Sequence, residues 1–336
     1  MPREFTFVDM CCGIGAFHIA LGAMGGRCVL ACDRDPQVRE TYQANYGTGF
    51  PWHNDLFSLK ELPEHDVFVS GFPCTTFSFA GSRKGVLGDT DEGEVAFKLL
   101  KLLRQMEERR PKVVVLENVV GLASIHNGRL MKHIVEDLES MGYQVKVSQF
   151  DAADFGAPMH RTRLLIVGTA GFELFDTKPV SKKPPSVVAN FVDARNNSNE
   201  KLILHDERYV MLREDQVRTK NSKIFVGYLP QVNYRHDDMT RFATHGQALK
   251  IYDGRGLAEN FTGTHKHAFL IKDPVDARND VVRYLSDKEM YRCMGFPKGF
   301  KMHETSTVRL RQLGKSINLF MLRPVCKWIV REWRKK

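Results

Sequence analysis

A thiol and a carboxylate carry the most chemistry in this sequence. Cys74 lies in Val69-Ser70-Gly71-Phe72-Pro73-Cys74-Thr75-Thr76-Phe77-Ser78, and Glu117 opens Glu117-Asn118-Val119. The apolar run Asp66 to Val69 reads as a buried strand of a parallel sheet. Gly71 stops it, and Pro73 fixes the backbone directly before the cysteine. Cys74 is therefore expected in a stiff loop beyond the carboxyl end of a strand, where open α/β sheets bind their ligands. A second run, Lys112 to Leu116, ends on Glu117. A thiol and a carboxylate at one sheet edge suit covalent attack assisted by an acid.

Those two groups need a sheet to hold them, and the N-terminal half supplies its elements. Phe5 to Met10 reads as the first strand, and Gly13-Ile14-Gly15 opens a helix running to about Met24. Glycines let the backbone approach a ligand closely, and a helix start offers unpaired amides. A dinucleotide fingerprint is incomplete there, because Ala16 and His18 intervene. Cys28 to Ala31 forms the next strand and leads to Asp33, a carboxylate placed to suit ribose hydroxyls. Asp55 follows a third short strand. Gly81 to Gly93, rich in glycine and charge, reads as a candidate lid. Glu94 to Glu108 has helical spacing at Val95, Leu99, Leu102, Leu103 and Met106. A helix from about Asn127 to Met141 and a strand near Gln144 to Phe150 continue the alternation. Arg161 and Arg163 then precede the apolar strand Leu164 to Val167, and their alternation with Thr162 would point both the same way.

From Gly171 the character changes. Lys178 to Pro185, dense in lysine and proline, reads as a linker, and the chain stays polar, turn-rich and basic in patches to about Asp280. Arg235 to Asp238, Lys250 to Arg255 and Thr262 to His267 read as loops able to touch phosphates or base edges. Ser286 with Glu289 forms a plausible capping box. The last helix is expected from about Leu313 to Trp333, with Ile317, Phe320, Met321, Val325, Trp328 and Ile329 on one apolar face returning to the sheet.

Composition sets the frame. A chain of 336 residues with 43% hydrophobic content suits two packed domains. No apolar run reaches the length of a membrane span, and Met1 to Glu4 leads straight into a strand, so a cytoplasmic protein is expected. A formal charge of +9 favours a polyanionic partner. Seven cysteines without framework spacing fit a reducing compartment. Cys11-Cys12 and Cys28…Cys32 lack a histidine at ligand spacing and read as small buried thiols, so no metal is expected.

Gly71-Phe72-Pro73-Cys74, followed by Phe77-Ser78 and Ala80-Gly81, resembles the nucleophile loop of the cytosine-5 DNA methyltransferases of bacterial and phage type. Leu116-Glu117-Asn118-Val119 resembles their Glu-Asn-Val motif. Six motifs in the family's order, from Phe7 to Val325, extend the resemblance over nearly the whole chain. It implies an α/β fold: a Rossmann-like class I methyltransferase catalytic domain over 1–170, a smaller, irregular target-recognition domain over 171–282, and a return to the catalytic domain over 283–336. The implied partner is double-stranded DNA, met by a monomer. Cys74 would add to carbon 6 of a flipped cytosine and Glu117 would share a proton with N3. By the same resemblance Arg163 helps hold the base, while Arg161 supports the carboxylates and the loop. Ser78, Asn118, Asn260 and His265 are the implied substrate contacts. S-adenosylmethionine is the implied donor, held by Asp9, Cys11, Gly13, Ile14, Gly15, Asp33, Arg34, Asp55, Leu56, Pro73, Lys315 and Ser316. Asp9 would lie near its methionine amino end and Asp55 at its adenine amino group.

The chain also departs from the family pattern. Cys11 and Arg34 stand where aromatic residues are usual, Met159 takes a glutamine position, and Asn260-Phe261 replaces a Thr-Leu pair. In Gly314-Lys315-Ser316-Ile317 a lysine replaces the family's asparagine. An ammonium beside a sulfonium is unfavourable unless an anion lies nearby. Lys315 thus suggests an alternative donor, carboxy-S-adenosylmethionine, with 5-carboxymethylcytosine as product. The plainer alternatives turn Lys315 to solvent, a carboxylate or a DNA phosphate. A tRNA cytosine-5 methyltransferase and a catalytically silent DNA-binding module are the remaining readings.

Overall fold

The computed structural model describes residues 4–73, 91–173, 183–205, 208–229, 250–264 and 266–335. Cys74, Ser78, His265, the expected lid from Gly81 and the loop at Arg235 lie outside the described residues. The chain forms two compact units. The first comprises Met1–Asp151, Thr162–Ser181 and Met321–Lys336, and the second Ala152–Arg161 and Lys182–Phe320.

The first unit is built on seven strands: β1 Phe5–Met10, β2 Gly26–Cys32, β3 Trp52–His53, β4 Val67–Gly71, β5 Val113–Asn118, β6 Gln144–Asp151 and β7 Thr162–Thr169. Their order is β3-β2-β1-β4-β5-β7-β6. The strands pair parallel from β3 to β5, while β7 runs antiparallel to both β5 and β6. This is the doubly wound α/β architecture that the strand–helix alternation implies. Helices α1 Ala16–Gly22, α2 Pro36–Tyr46, α3 Asp91–Gln105 and α4 Arg129–Ser140 intervene between strands. The spacing that predicts α3 holds: Val95, Leu99, Leu102, Leu103 and Met106 are all buried. They join Val8, Met10, Phe68, Val114 and Leu116 from the sheet and Ile134 and Leu138 from α4 in one core. Burying each such side chain contributes about 1.5–3 kcal/mol.

The second unit contains a sheet that the sequence did not suggest. Its strands are β8 Val210–Met211, β9 Arg218–Lys220, β10 Lys223–Tyr228, β11 Lys250–Asp253, β12 Ala268–Ile271 and β13 Val281–Tyr284. They run in the order β13-β12-β11-β10-β8, with β9 also on β10. The β9–β10 hairpin turns through Asn221-Ser222, both with positive φ, as a two-residue turn matched to strand twist requires. Leu204, Val226, Ile251, Ala268 and Val282 form its core. Helices α5 Asp287–Cys293 and α6 Ser306–Lys315 follow. The capping box of Ser286 and Glu289 is present at the start of α5.

Two boundaries differ from expectation. The single helix over Leu313 to Trp333 is two helices, α6 and α7 Leu319–Arg334. Ser316 is extended, with φ −78 and ψ 159, and Asn318 accepts the Phe320 amide at 2.9 Å as a fresh N-cap. The chain rejoins the first unit at Met321 rather than at 283. Arg283 is instead built into β13 and forms a fully buried ion pair with Glu289 at 2.9 Å. Val325, Trp328 and Ile329 are buried, and the Trp333 ring meets Phe5 edge-on at 5.7 Å.

Among the described residues no helix is long and apolar enough to cross a membrane, and no His, Cys, Asp and Glu cluster is arranged to hold a metal ion. Glu289→Ala removes both the partner of a buried guanidinium and a helix cap. It is expected to destabilise the second unit by about 3–5 kcal/mol, read as a lower urea midpoint.

Candidate active site

Strand register assembles the candidate edge. Parallel pairing of β4 and β5 sets Gly71 opposite Glu117 and Ser70 opposite Leu116. Reversal of β7 brings its first residues to the same edge, with Asn118 opposite Leu164. Arg163 therefore reaches Glu117, Nε to Oε1 at 2.9 Å, with both side chains largely buried. The guanidinium also donates to the Thr162 carbonyl at 2.9 Å. Asn118 is 2% exposed, and its amide donates to the Phe72 carbonyl at 3.4 Å. It thus ties the end of β5 to the backbone two residues before Cys74. Its own Oδ1 accepts the Val119 amide at 2.8 Å. In the structure Asn118 braces the backbone at both Phe72 and Val119.

The glycine loop after β1 forms the second part of the site. Gly13 and Gly15 have φ of +50 and +82, values that favour glycine. Among the described residues nothing lies within 4 Å of where a Cβ on Gly13 would point, so they leave the space there open. A Cβ on Gly15 would collide with the Tyr46 ring. Tyr46 Oη lies 3.1 Å from the Ile14 carbonyl and 3.0 Å from that of Gly15, donating into this pair. Asp33 Oδ2 accepts the Gly13 amide at 3.0 Å, and Oδ1 accepts the Asp35 amide at 3.0 Å. Asp55 caps a turn, accepting the amides of Phe57 and Ser58, each at 3.1 Å. Leu56 is buried, Pro73 half-buried, and Arg34 is exposed. Cys11 occupies the loop with φ 51. Burial pushes the thiols of Cys28 and Cys32 up to about 12 and raises those of Cys11 and Cys12. These cysteines are unreactive thiols.

Asp9, expected beside a ligand, is instead fully buried below this loop. Burial, then the nearby Asp33, raises its carboxyl well above the usual range. Its Oδ1 has no hydrogen-bond partner among the described residues, and a buried polar atom left so calls for a compensating group. An orphaned carboxylate oxygen, an open glycine turn and two carboxylates at successive strand ends fit a ligand that carries an ammonium and ribose hydroxyls. S-adenosylmethionine has both.

The remaining expected residues lie in the second unit. Arg161 is 2% exposed. It donates to Asn260 Oδ1, to the Phe261 carbonyl at 3.4 Å, and to the carbonyls of Gly314 and Ser316 at 2.8 and 2.6 Å. These bonds brace a loop and a helix end, where support of the carboxylates was expected. Asn260 thereby uses its side-chain oxygen internally. Gly314 must be glycine, since a Cβ would collide with the backbone of Thr262 and Gly263. Ser316 is buried and Lys315 exposed. Met159 is fully buried and bridges to Ala258 through the backbone.

Sequence reasoning missed Tyr42, Tyr46 and His18. The one trace of them was the i, i+4 spacing of the two tyrosines on α2.

Comparison with known proteins gives the family and the fold. The family profile of C-5 cytosine-specific DNA methylase matches residues 5–331. The type II methyltransferase M.HhaI of Haemophilus parahaemolyticus is 27% identical over 319 residues, covering 94% of this chain and 91% of its own. M.HpaII of Haemophilus parainfluenzae is 29% identical, covering 94% and 87%. Among solved structures, the Entamoeba histolytica methyltransferase EhMeth superposes with a TM-score of 0.71 at 15% identity, over 98% of this chain and 99% of its own. The S. pombe Dnmt2 methyltransferase gives 0.65 at 18%, over 97% of each. At such identities the structures speak to the fold alone.

Gly15→Ala combines a left-handed backbone, about 1–2 kcal/mol, with the Tyr46 collision. It is expected to unfold at a lower temperature than Gly13→Ala, which meets only the backbone strain. Equal melting temperatures would show that the Tyr46 ring yields.

Proposed function

The chain belongs to the C-5 cytosine-specific DNA methylase family, and from that premise we propose that it modifies carbon 5 of a cytosine swung out of double-stranded DNA through a covalent bond to Cys74. The observation that carries this reading is the edge at which Gly71 faces Glu117 while Asn118 holds the Phe72 carbonyl. S-adenosylmethionine, the family's donor, supplies the one-carbon group as an activated methyl. Unstacking the base costs on the order of a few kcal/mol, and the charge of +9 supports binding of the phosphates.

The Cys74 thiolate adds to carbon 6, and the displaced double-bond electrons make carbon 5 a nucleophile. Glu117 exchanges a proton with N3 and so offsets charge gathered on the ring during addition. Arg163 orients Glu117 and compensates its charge in a buried setting. Carbon 5 bonds the methyl as the methyl's bond to sulfur breaks, and loss of the carbon 5 proton to water then expels the thiolate and restores the ring. Asp33 and the glycine turn hold the donor, and Asp55 offers its carboxylate to the adenine amino group.

One observation favours a second reading of the donor. Lys315 is exposed and forms no ion pair among the described residues, yet it sits between two carbonyls that Arg161 fixes. An ammonium on so rigid a segment suits a carboxylate, such as that of carboxy-S-adenosylmethionine. Mass spectrometry of nucleosides from DNA treated with each donor separately tests both readings. The first expects 5-methylcytosine from S-adenosylmethionine, lost in Cys74→Ala. The second expects 5-carboxymethylcytosine, lost in Lys315→Asn with methyl transfer retained. Unmodified cytosine with both donors would turn the assignment toward RNA or toward a silent binder.

A further inference from the structure

We propose that Tyr42 and His18 are positioning residues which let the buried Asp9 give up a proton when the donor's ammonium binds, so that donor binding and proton release are coupled. The inference rests on the donor assignment above and concerns side chains that take no part in the transfer chemistry.

The geometry is a chain of hydrogen bonds from the core to the surface. Tyr42 Oη lies 3.5 Å from Asp9 Oδ2, and His18 Nδ1 lies 2.8 Å from Tyr42 Oη. Tyr42 is fully buried, whereas His18 is half-buried. The chain can run in two directions. With Asp9 protonated, its hydroxyl donates to Tyr42 Oη, which donates to His18 Nδ1, and the imidazole carries its proton on Nε2. With Asp9 ionised, Tyr42 donates to Asp9, His18 donates from Nδ1 to Tyr42, and Nε2 is bare. The difference is one proton, released from the half-buried imidazole. The relay reverses without any heavy atom changing partner.

The same residues grip the donor loop. His18 stacks on Tyr46 with ring centroids 4.0 Å apart, and Tyr46 Oη bonds the carbonyls of Ile14 and Gly15. The surroundings of Asp9 otherwise disfavour its charge. Asp33, Tyr46 and the thiols of Cys11, Cys12, Cys28 and Cys326 face it and offer no cation. Among the described residues, only Tyr42 and the His18 amide act in favour of the ion. Burial holds His18 down at about 4, so the imidazole is a neutral relay at ordinary pH rather than a counter-charge. A ligand ammonium at the open Gly13 turn supplies the missing cation. It acts through low-dielectric protein and need not touch the carboxylate.

The test is calorimetry of S-adenosylhomocysteine binding to the full chain at about pH 6, where the ligand amine is already protonated. Comparing buffers of different ionisation enthalpy gives the protons released. The wild type is expected to release protons on binding and Asp9→Asn none. Tyr42→Phe, which withdraws the hydrogen bond to the ion, moves the release to higher pH. Equal release from wild type and Asp9→Asn, or none from the wild type, overturns the proposal. If S-adenosylhomocysteine fails to bind the wild type at all, the donor assignment falls and this inference with it.

Ligand-free protein provides an independent check should a variant fold poorly. The folded-state pKa of Asp9 is raised, so the folded chain holds a proton that the unfolded chain has released. Stability of the wild type therefore falls as pH rises from the ordinary aspartate value toward the raised one. Asp9→Asn is expected to lose that slope, and a slope retained in Asp9→Asn overturns the proposal.

Discussion

The structure depends first on register at the carboxyl edge of the seven-stranded sheet. Parallel pairing of β4 with β5 aligns Val67 to Gly71 with Val113 to Glu117, and both strands are buried on both faces, as central strands of a doubly wound sheet are. That alignment alone puts Gly71 opposite Glu117. Reversal of β7 then delivers Arg163 to the same edge, where it meets the carboxylate. The register fixes the edge, and the edge fixes which side chains can cooperate.

A second constraint is the division of labour between two arginines. Arg161 closes the second unit's short segment, and Thr162 begins β7 of the first. Two residues apart, Arg161 and Arg163 serve different bodies. The former gathers Asn260, Phe261, Gly314 and Ser316 around one buried guanidinium. The latter attends to Glu117. Replacing either by lysine would lose geometry as well as reach, since a compact ammonium cannot serve several acceptors held in a plane.

The sequence was most legible where burial is continuous. The strands leading to Gly71 and Glu117, and the apolar stripe of α3, follow from hydrophobic pattern and appear where they are expected. The second sheet was hidden because its strands are two to six residues long and its hairpin turns on Asn221-Ser222, with no glycine to signal it. The break between α6 and α7 was hidden because the apolar spacing continues across Ser316, while the forces that stop α6 come from distant Arg161. Asp9 showed in the sequence as a strand-end carboxylate but not as a buried one. Its partners Tyr42 and His18 come from two separate helices, and no local pattern links them to it.

The proposed chemistry turns on a bond between Cys74 and carbon 6 of the target base. Its most direct test is intact-mass analysis of the protein incubated with S-adenosylmethionine and a duplex carrying 5-fluorocytosine, in which the carbon 5 proton is replaced by a fluorine that cannot leave. The account predicts a stable adduct with the mass of the strand plus a methyl group, mapped to Cys74 and missing in Cys74→Ala. Methylation of ordinary cytosine without any such adduct, or an adduct that persists in Cys74→Ala, would contradict it.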